Sequence, residues 1–366
     1  MNLQTDVCIV GGGPAGILLG YLLASNGVSV VVLERSFLTE RNFRGEHINY
    51  ETEMLLKEYK LFEKIEELGL LRMERVEFFA GKQIVKTITP GPDEDHVGIH
   101  IPQSHLLDAI ISKSQQYDNY QLYLNTSVTE LIQDDREFFS GVSAIRNEEK
   151  MYVSCSVVIG ADGRFSTIRK LANIPFAKRK HGYDILWAKV PAPKGWKPTT
   201  RMLHVKGHQL AIFTQTGGFI QIGWNIDEAS FASLKKGSFI PFLTPLVETF
   251  PELREIALKH LQSWKDFVCL KVESSLCENW VMDGLVMIGD AAHTMTPTGA
   301  IGINCAMKDA HVLAPILLKA LREKKVDAEY LRAFDERRRA EIIKQQEMQI
   351  EEEAMYAENF VHYARN

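Results

Sequence analysis

Three short runs of glycine and acidic residues carry the chemistry that this chain can do. The first is Gly11-Gly12-Gly13-Pro14-Ala15-Gly16, a GxGxxG spacing, followed by Glu34 and Arg35. Glycines so placed permit a tight turn and let a diphosphate approach the free amides of a helix N-terminus. A carboxylate at Glu34, closing the next apolar run, can accept both hydroxyls of a ribose and disfavours a 2′-phosphate. The alternative is that the glycines serve only close helix–sheet packing. Strand, turn, helix, strand and acid in that order point to a dinucleotide.

The second run is Gly160-Ala161-Asp162-Gly163-Arg164, again after an apolar stretch. Asp162 either stands at a strand's carboxyl end, where α/β folds gather ligands, or opens a helix as an Asx turn; the residues leave both open. The third run is Gly289-Asp290-Ala291-Ala292-His293, continuing to Pro297, Gly299, Gly302, Ile303 and Asn304. Asp290 can accept from a ribityl hydroxyl. Gly299 and Gly302 allow the backbone to approach a flat ring, and a helix opening near Gly302 aims its positive end at the pyrimidine edge of a flavin. Three runs converging on one dinucleotide point to FAD.

The elements that must hold these runs follow from periodicity. Residues 6–10 and 28–33 read as buried parallel strands around a helix from Pro14 to about Asn26. Residues 50–70 and 106–117 read as helical, and 120–131 and 151–159 as strands. Residues 183–226 alternate at period two, predicting an antiparallel sheet. Residues 228–264 read as helical, 285–288 as a third buried strand and 302–321 as a helix; 328–364, rich in Glu, Arg, Lys and Gln, predict a long, largely solvated helix. The fold class expected is α/β: a Rossmann-type nucleotide-binding domain (1–75, 100–182 and 276–327) interleaved with a substrate domain on an antiparallel sheet (76–99 and 183–275). A C-terminal helical segment (328–366) follows. Ligand sites favour domain interfaces, so the second domain is expected to roof a substrate pocket.

Composition narrows the class. A formal net charge of −5 over 366 residues leaves no electrostatic footprint for nucleic acid. The five cysteines have no CxxC spacing and the 11 histidines no HExxH pattern, so no metal site is expected. Residues 17–24 are apolar but lack a basic n-region before them, and no apolar run approaches membrane-spanning length; a cytoplasmic protein without a membrane span is the expectation. A monomer or homodimer is expected.

Taken together, the three runs resemble the flavoprotein aromatic hydroxylases, the p-hydroxybenzoate hydroxylase-like class A FAD-dependent monooxygenases, across nearly the whole chain. The resemblance implies a glutathione-reductase-like FAD domain and NADPH or NADH as transient reductant. It also implies a flavin C4a-hydroperoxide formed from O2, and a small aromatic or heteroaromatic substrate. It carries cofactor contacts to Glu34, Arg44 and Gly45 in the FRGEH segment, Gln103, Val128, Asp162, Arg164, Asp290, Gly299 and Ile303, and a role in shaping the oxygen site to Pro297. Ile301 departs from the pattern, standing where the family has lysine or glutamine. His47 and His204 are candidates for the base that deprotonates a phenol, each otherwise a surface or hydrogen-bonded core histidine. His204, Phe213, Gln215 and Trp224 lie on the predicted sheet as candidate substrate contacts, or as ordinary core and surface positions. Alternatives are a prenyl-lipid reductase, a halogenase (whose Trp-x-Trp-x-Ile-Pro pattern is absent) or a non-catalytic flavoprotein acting through its charged C-terminal helix.

Overall fold

The computed structural model describes residues 1–37, 46–205 and 208–363. The chain forms two compact units. The first gathers Met1–Leu68, Pro102–Arg179 and Ser274–Gln349; the second gathers Gly69–Ile101, Lys180–Glu273 and Ile350–Asn366.

The first unit is built on a six-stranded sheet in the order Val281–Met282, Leu285–Met287, Val157–Gly160, Val7–Val10, Val30–Leu33, Tyr120–Tyr123. Its pairings are parallel except the first. The strands Val7–Val10, Val30–Leu33 and Val157–Gly160 are buried along their whole length, which is why each reads as a run without polar side chains rather than as an alternation. The helix Pro14–Ala24 packs on the helices Gln103–Ser114 and Gly302–Glu323. A separate four-stranded sheet runs Asn2–Gln4, Glu149–Ser154, Phe139–Arg146, Thr126–Gln133.

Two expected strands prove to be pairs that change sheets. Residues 120–131 break at Asn125, which takes a left-handed φ of 52°, as Asn tolerates. Residues 151–159 break at Cys155 and Ser156, whose amides bond to Ser140 and Asp6 carbonyls. The single helix expected over 50–70 is likewise two, Tyr50–Glu58 and Phe62–Leu68, interrupted at Lys60 with φ 55°.

The second unit holds an antiparallel sheet that includes a parallel pairing, Thr199–Val205 beside Arg75–Ala80. One face, carrying Leu186, Ala188, Leu203, Leu210, Ile212, Ile222 and Trp224, packs against Leu243, Leu246, Leu253 and Ala257 of the helices beneath. The other face carries Trp187, Ala211, Phe213 and Gln221, by the strict alternation of strand side chains.

Two expectations are corrected here. The segment Thr298–Glu323 is long and apolar enough by composition to cross a membrane, against the reading that none is; 61% of its apolar window is buried within the protein, as in a core helix. For the C-terminal helix, Ala328–Tyr363, the correction concerns one stripe, the other described side chains being half-buried or exposed. Leu331, Phe334, Arg338, Ile342 and Gln349 fall on one stripe and are buried. Arg338 and Gln349 hide that stripe from a hydropathy reading, because polar residues occupy core positions when they find partners. Phe334→Ala is therefore expected to destabilise the protein by about 3–5 kcal/mol, the cost of a large core truncation. Urea unfolding checks this, and an unchanged midpoint would return the helix to solvent.

Candidate functional site

The first glycine run turns where the strand Val7–Val10 ends. Gly11 has φ +116°, and a Cβ there would stand 2.2 Å from the Ala161 carbonyl oxygen; one on Gly16 would stand 2.1 Å from the Gly11 oxygen. Only glycine allows these approaches. The helix opens on Pro14 with Gly13 as N-cap and no side chain bonded to the cap. Its first-turn amides, Ala15 and Gly16 among them, have no partner in the helix and lie at the positive end of its dipole, which suits an anionic diphosphate. Glu34 is buried beside the turn: Oε2 accepts from the Gly12 amide at 2.6 Å, and Oε1 from the Ser36 amide at 2.9 Å and hydroxyl at 2.6 Å. Arg35 next to it is exposed. A turn that a Cβ would fill, an uncapped helix start and a buried carboxylate fit the adenosine and diphosphate of FAD.

The second run lies against the first. A Cβ on Gly11 would also reach 2.7 Å from the Asp162 amide nitrogen. Asp162 takes the helix-opening role: Oδ1 accepts from the Ser166 hydroxyl at 2.5 Å, and Oδ2 from the amides of Thr167 (2.6 Å) and Ile168 (3.1 Å). Arg164 is half-buried, and its carbonyl accepts from Arg169 at 2.8 Å. Arg169, given no role from sequence, is buried and donates its other arm to the Ala291 carbonyl at 2.9 Å, strapping the second run to the third.

In the third run, Gly289 (φ +58°) leaves room for a Cβ only at contact distance, 3.4 Å, from the Cβ atoms of Ala15 and Ala306. Asp290 is half-buried in the turn Gly289–Ala291. Behind it stands Asp309, fully buried and unassigned from sequence. It accepts from the Gly289 amide at 2.8 Å, from His293 Nε2 at 2.7 Å and from Arg338 Nε at 2.8 Å. The signal that marks it is an acid in the apolar stripe of a core helix, a position that demands partners.

Pro297 is half-buried ahead of Gly299 (φ +69°) and Ala300 (φ +52°). Gly302 opens the helix Gly302–Glu323, and Ile303 is buried in its first turn. The Asn304 amide is already engaged: Nδ2 donates to the carbonyls of His47 (3.0 Å) and Ala300 (3.2 Å), and Oδ1 accepts from the Asn49 amide at 3.1 Å. It ties the strand His47–Ile48, with the half-buried His47, to the third run. Gln103 is buried at the start of its helix, and Val128 lies opposite Ala144 beside a bulge in the four-stranded sheet. Arg44 and Gly45 lie outside the described residues.

In the second unit the expected substrate contacts divide. Trp224 is corrected to a core residue: it is 1% exposed among the helices' apolar side chains, and its Nε1 donates to the Phe242 carbonyl at 2.9 Å. Phe213 and Gln215 share the opposite face. Phe213 meets Trp187 with ring centroids 5.8 Å apart, and the Gln215 amide donates to Gln221. A Cβ on Gly223 would stand 2.6 Å from the Trp187 ring, so the indole lies over a residue with no side chain. His204 is on the same face, two positions beyond Met202.

A Rossmann-type sheet with three glycine turns meeting at its carboxyl edge defines a flavin-dependent oxidoreductase. Residues 4–348 match the family described as FAD binding domain, and the chain belongs to that family, that of the FAD-dependent monooxygenases. It is 31% identical over 361 residues to the 6-methylpretetramide 4-monooxygenase of Streptomyces rimosus, covering 96% of this chain and 84% of that one. In fold it is similar to PqsL of P. aeruginosa, solved in complex with 2-aminobenzoylacetate (TM-score 0.81, 18% identity, 98% of this chain and 96% of that one). It is also similar to the p-nitrophenol 4-monooxygenase PnpA of Pseudomonas putida DLL-E4 (TM-score 0.78, 19% identity, 97% and 89%).

Asp309 generates a prediction. Burial alone would raise its carboxyl, but the attraction and hydrogen bonds of His293 and Arg338 outweigh it and hold the group below the usual carboxylate range. A carboxyl lowered by folding contributes stability above its unfolded value, about 3.9, and loses it as pH falls through the lower folded value. Asp309→Asn should therefore cost about 3–5 kcal/mol at neutral pH by breaking a buried ion pair. It should also shrink the loss of stability on acidification, and urea titrations from neutral to acid pH read both effects. A second prediction concerns Glu34: Glu34→Ala should weaken FAD binding at least about tenfold by removing a charged hydrogen-bond acceptor. Flavin fluorescence titration of the apoprotein measures it, and unchanged affinity would remove Glu34 from the cofactor's ribose.

Proposed function

We propose that the protein hydroxylates a small aromatic or heteroaromatic substrate, using NADPH or NADH and O2. In this reading the Gly11–Gly16 turn with Pro14 and Ala15 holds the FAD diphosphate, and Glu34, with Arg35 and Val128 nearby, the adenosine end. Asp290 holds the ribityl chain. Gln103, Arg44, Gly45, Asp162, Arg164 and the residues Gly299, Gly302, Ile303 and Asn304 shape the flavin's surroundings. Hydride acceptance and oxygen transfer are the chemistry that bound FAD supplies.

The observation that carries the substrate class is the face of the second unit's sheet turned away from its apolar core. Trp187 and Phe213 offer two adjacent aromatic surfaces, Gly223 lets the indole lie directly against the strand backbone, and the Gln215–Gln221 amide pair sets polar groups beside them. An apolar wall with a few convergent amides suits a flat ring bearing a hydroxyl or carbonyl. The relatives support the same class, since two of them are a 6-methylpretetramide 4-monooxygenase and a p-nitrophenol 4-monooxygenase. His47 and His204 are the candidates to take a proton from a phenolic hydroxyl, and Pro297 to exclude water from the reacting edge.

The test is a screen of aromatic and heteroaromatic compounds for stimulated NAD(P)H oxidation, followed by turnover under 18O2. A hit should yield product carrying one oxygen atom from O2. Product labelled only from water would contradict the proposal.

A further inference from the structure

Within the first unit, the C-terminal helix grips the backbone of the third run just before its glycine turn. Gln349, 2% exposed, accepts from the Thr296 amide at 3.1 Å and donates to the Thr296 carbonyl at 2.9 Å. Its Nε2 also donates to the Thr298 carbonyl. One carboxamide thus reads both polar groups of a single residue, as a neighbouring strand would. One helical turn earlier, Gln346 donates to the carbonyls of Ser275 (3.0 Å) and Thr294 (2.9 Å). Directly beyond the gripped segment, Gly299 and Ala300 both adopt left-handed φ, +69° and +52°. For alanine that conformation costs on the order of 1 kcal/mol and persists only where the surroundings over-determine it. Those surroundings are visible here: Gln349 holds the near side, and Asn304 donates to the Ala300 carbonyl from the far side.

We propose that Gln349 is a positioning residue for the flavin. By fixing Thr296 and Thr298, it sets the strained Pro297–Ala300 turn that leads into the helix Gly302–Glu323, and so sets where that turn's backbone stands against the ring. This rests on the reading that residues 297–304 line the flavin. It assigns the C-terminal helix a task in the site rather than in partner binding.

The test compares holoprotein variants by measurements that need no turnover: the flavin absorption band, the flavin reduction potential, and FAD affinity from titration of the apoprotein. Gln349→Met keeps the length of the side chain and removes all three hydrogen bonds. It is expected to shift the absorption band and the potential, and to weaken FAD binding roughly tenfold, the scale of one or two lost hydrogen bonds. Gln349→Asn keeps the carboxamide on a side chain one methylene shorter, which cannot hold all three hydrogen bonds at once, and should show the same changes to a smaller degree. Ile342→Ala, a buried apolar position on the same helix, is the control: it should lower the thermal midpoint and leave band, potential and affinity as in the parent. Equal flavin effects from Ile342→Ala, or an unaltered flavin in the Gln349 variants, would overturn the proposal. If Gln349→Met does not fold, Gln349→Asn carries the same comparison. An enzyme that holds FAD but hydroxylates no ring compound would sink the functional reading and leave this result standing; a flavin indifferent to Gln349 would do the reverse.

Discussion

At Gly11 the backbone of the first turn comes so near the Ala161 carbonyl that a side chain would stand 2.2 Å from it. That contact sets the geometry of the rest of the first unit. It brings the second run to the first, and the buried parallel strands Val7–Val10 and Val157–Gly160 lie side by side in register up to it. Gly289, against Ala15, brings the third run to the same helix start. A diphosphate needs unshielded amides, and amides stay unshielded only where the chain carries no Cβ to cover them. Close backbone approach and cofactor binding are thus one constraint.

Holding three backbone turns together requires partners for their polar groups. Arg169 spans the second and third runs, and Asp309 receives the Gly289 amide together with His293 and Arg338. A buried carboxylate with three donors is stable because its desolvation is offset by charge and hydrogen bonds at once. Its second consequence is reach: Arg338 belongs to the C-terminal helix, so that helix is anchored to the flavin motif through a buried ion pair.

Much of this was legible in the chain itself. The glycine runs, the whole-buried strands and the alternation over residues 183–226 are local requirements, and local requirements leave local patterns. Phe213 and Gln215 had to share a face whatever packed against it. Which face that was depended on the helices Ile240–Thr249 and Arg254–His260, whose apolar sides claimed Trp224 and left Phe213 on the other. The residues around Asp162 allowed a helix cap, and the hydrogen bonds from Ser166, Thr167 and Ile168 to its carboxylate make that cap.

By itself the sequence determined the class of fold, the dinucleotide and the places where no side chain is allowed, because each depends on the bonding and sterics of neighbouring residues. Only the tertiary structure decided what the polar residues inside it do. Asp309 and Gln349 read as solvated or incidental, since their partners Gly289, His293, Thr296 and Thr298 stand 16 to 53 residues away in the chain. A buried polar group is defined by the donor or acceptor opposite it, and that identity exists only once the chain has folded.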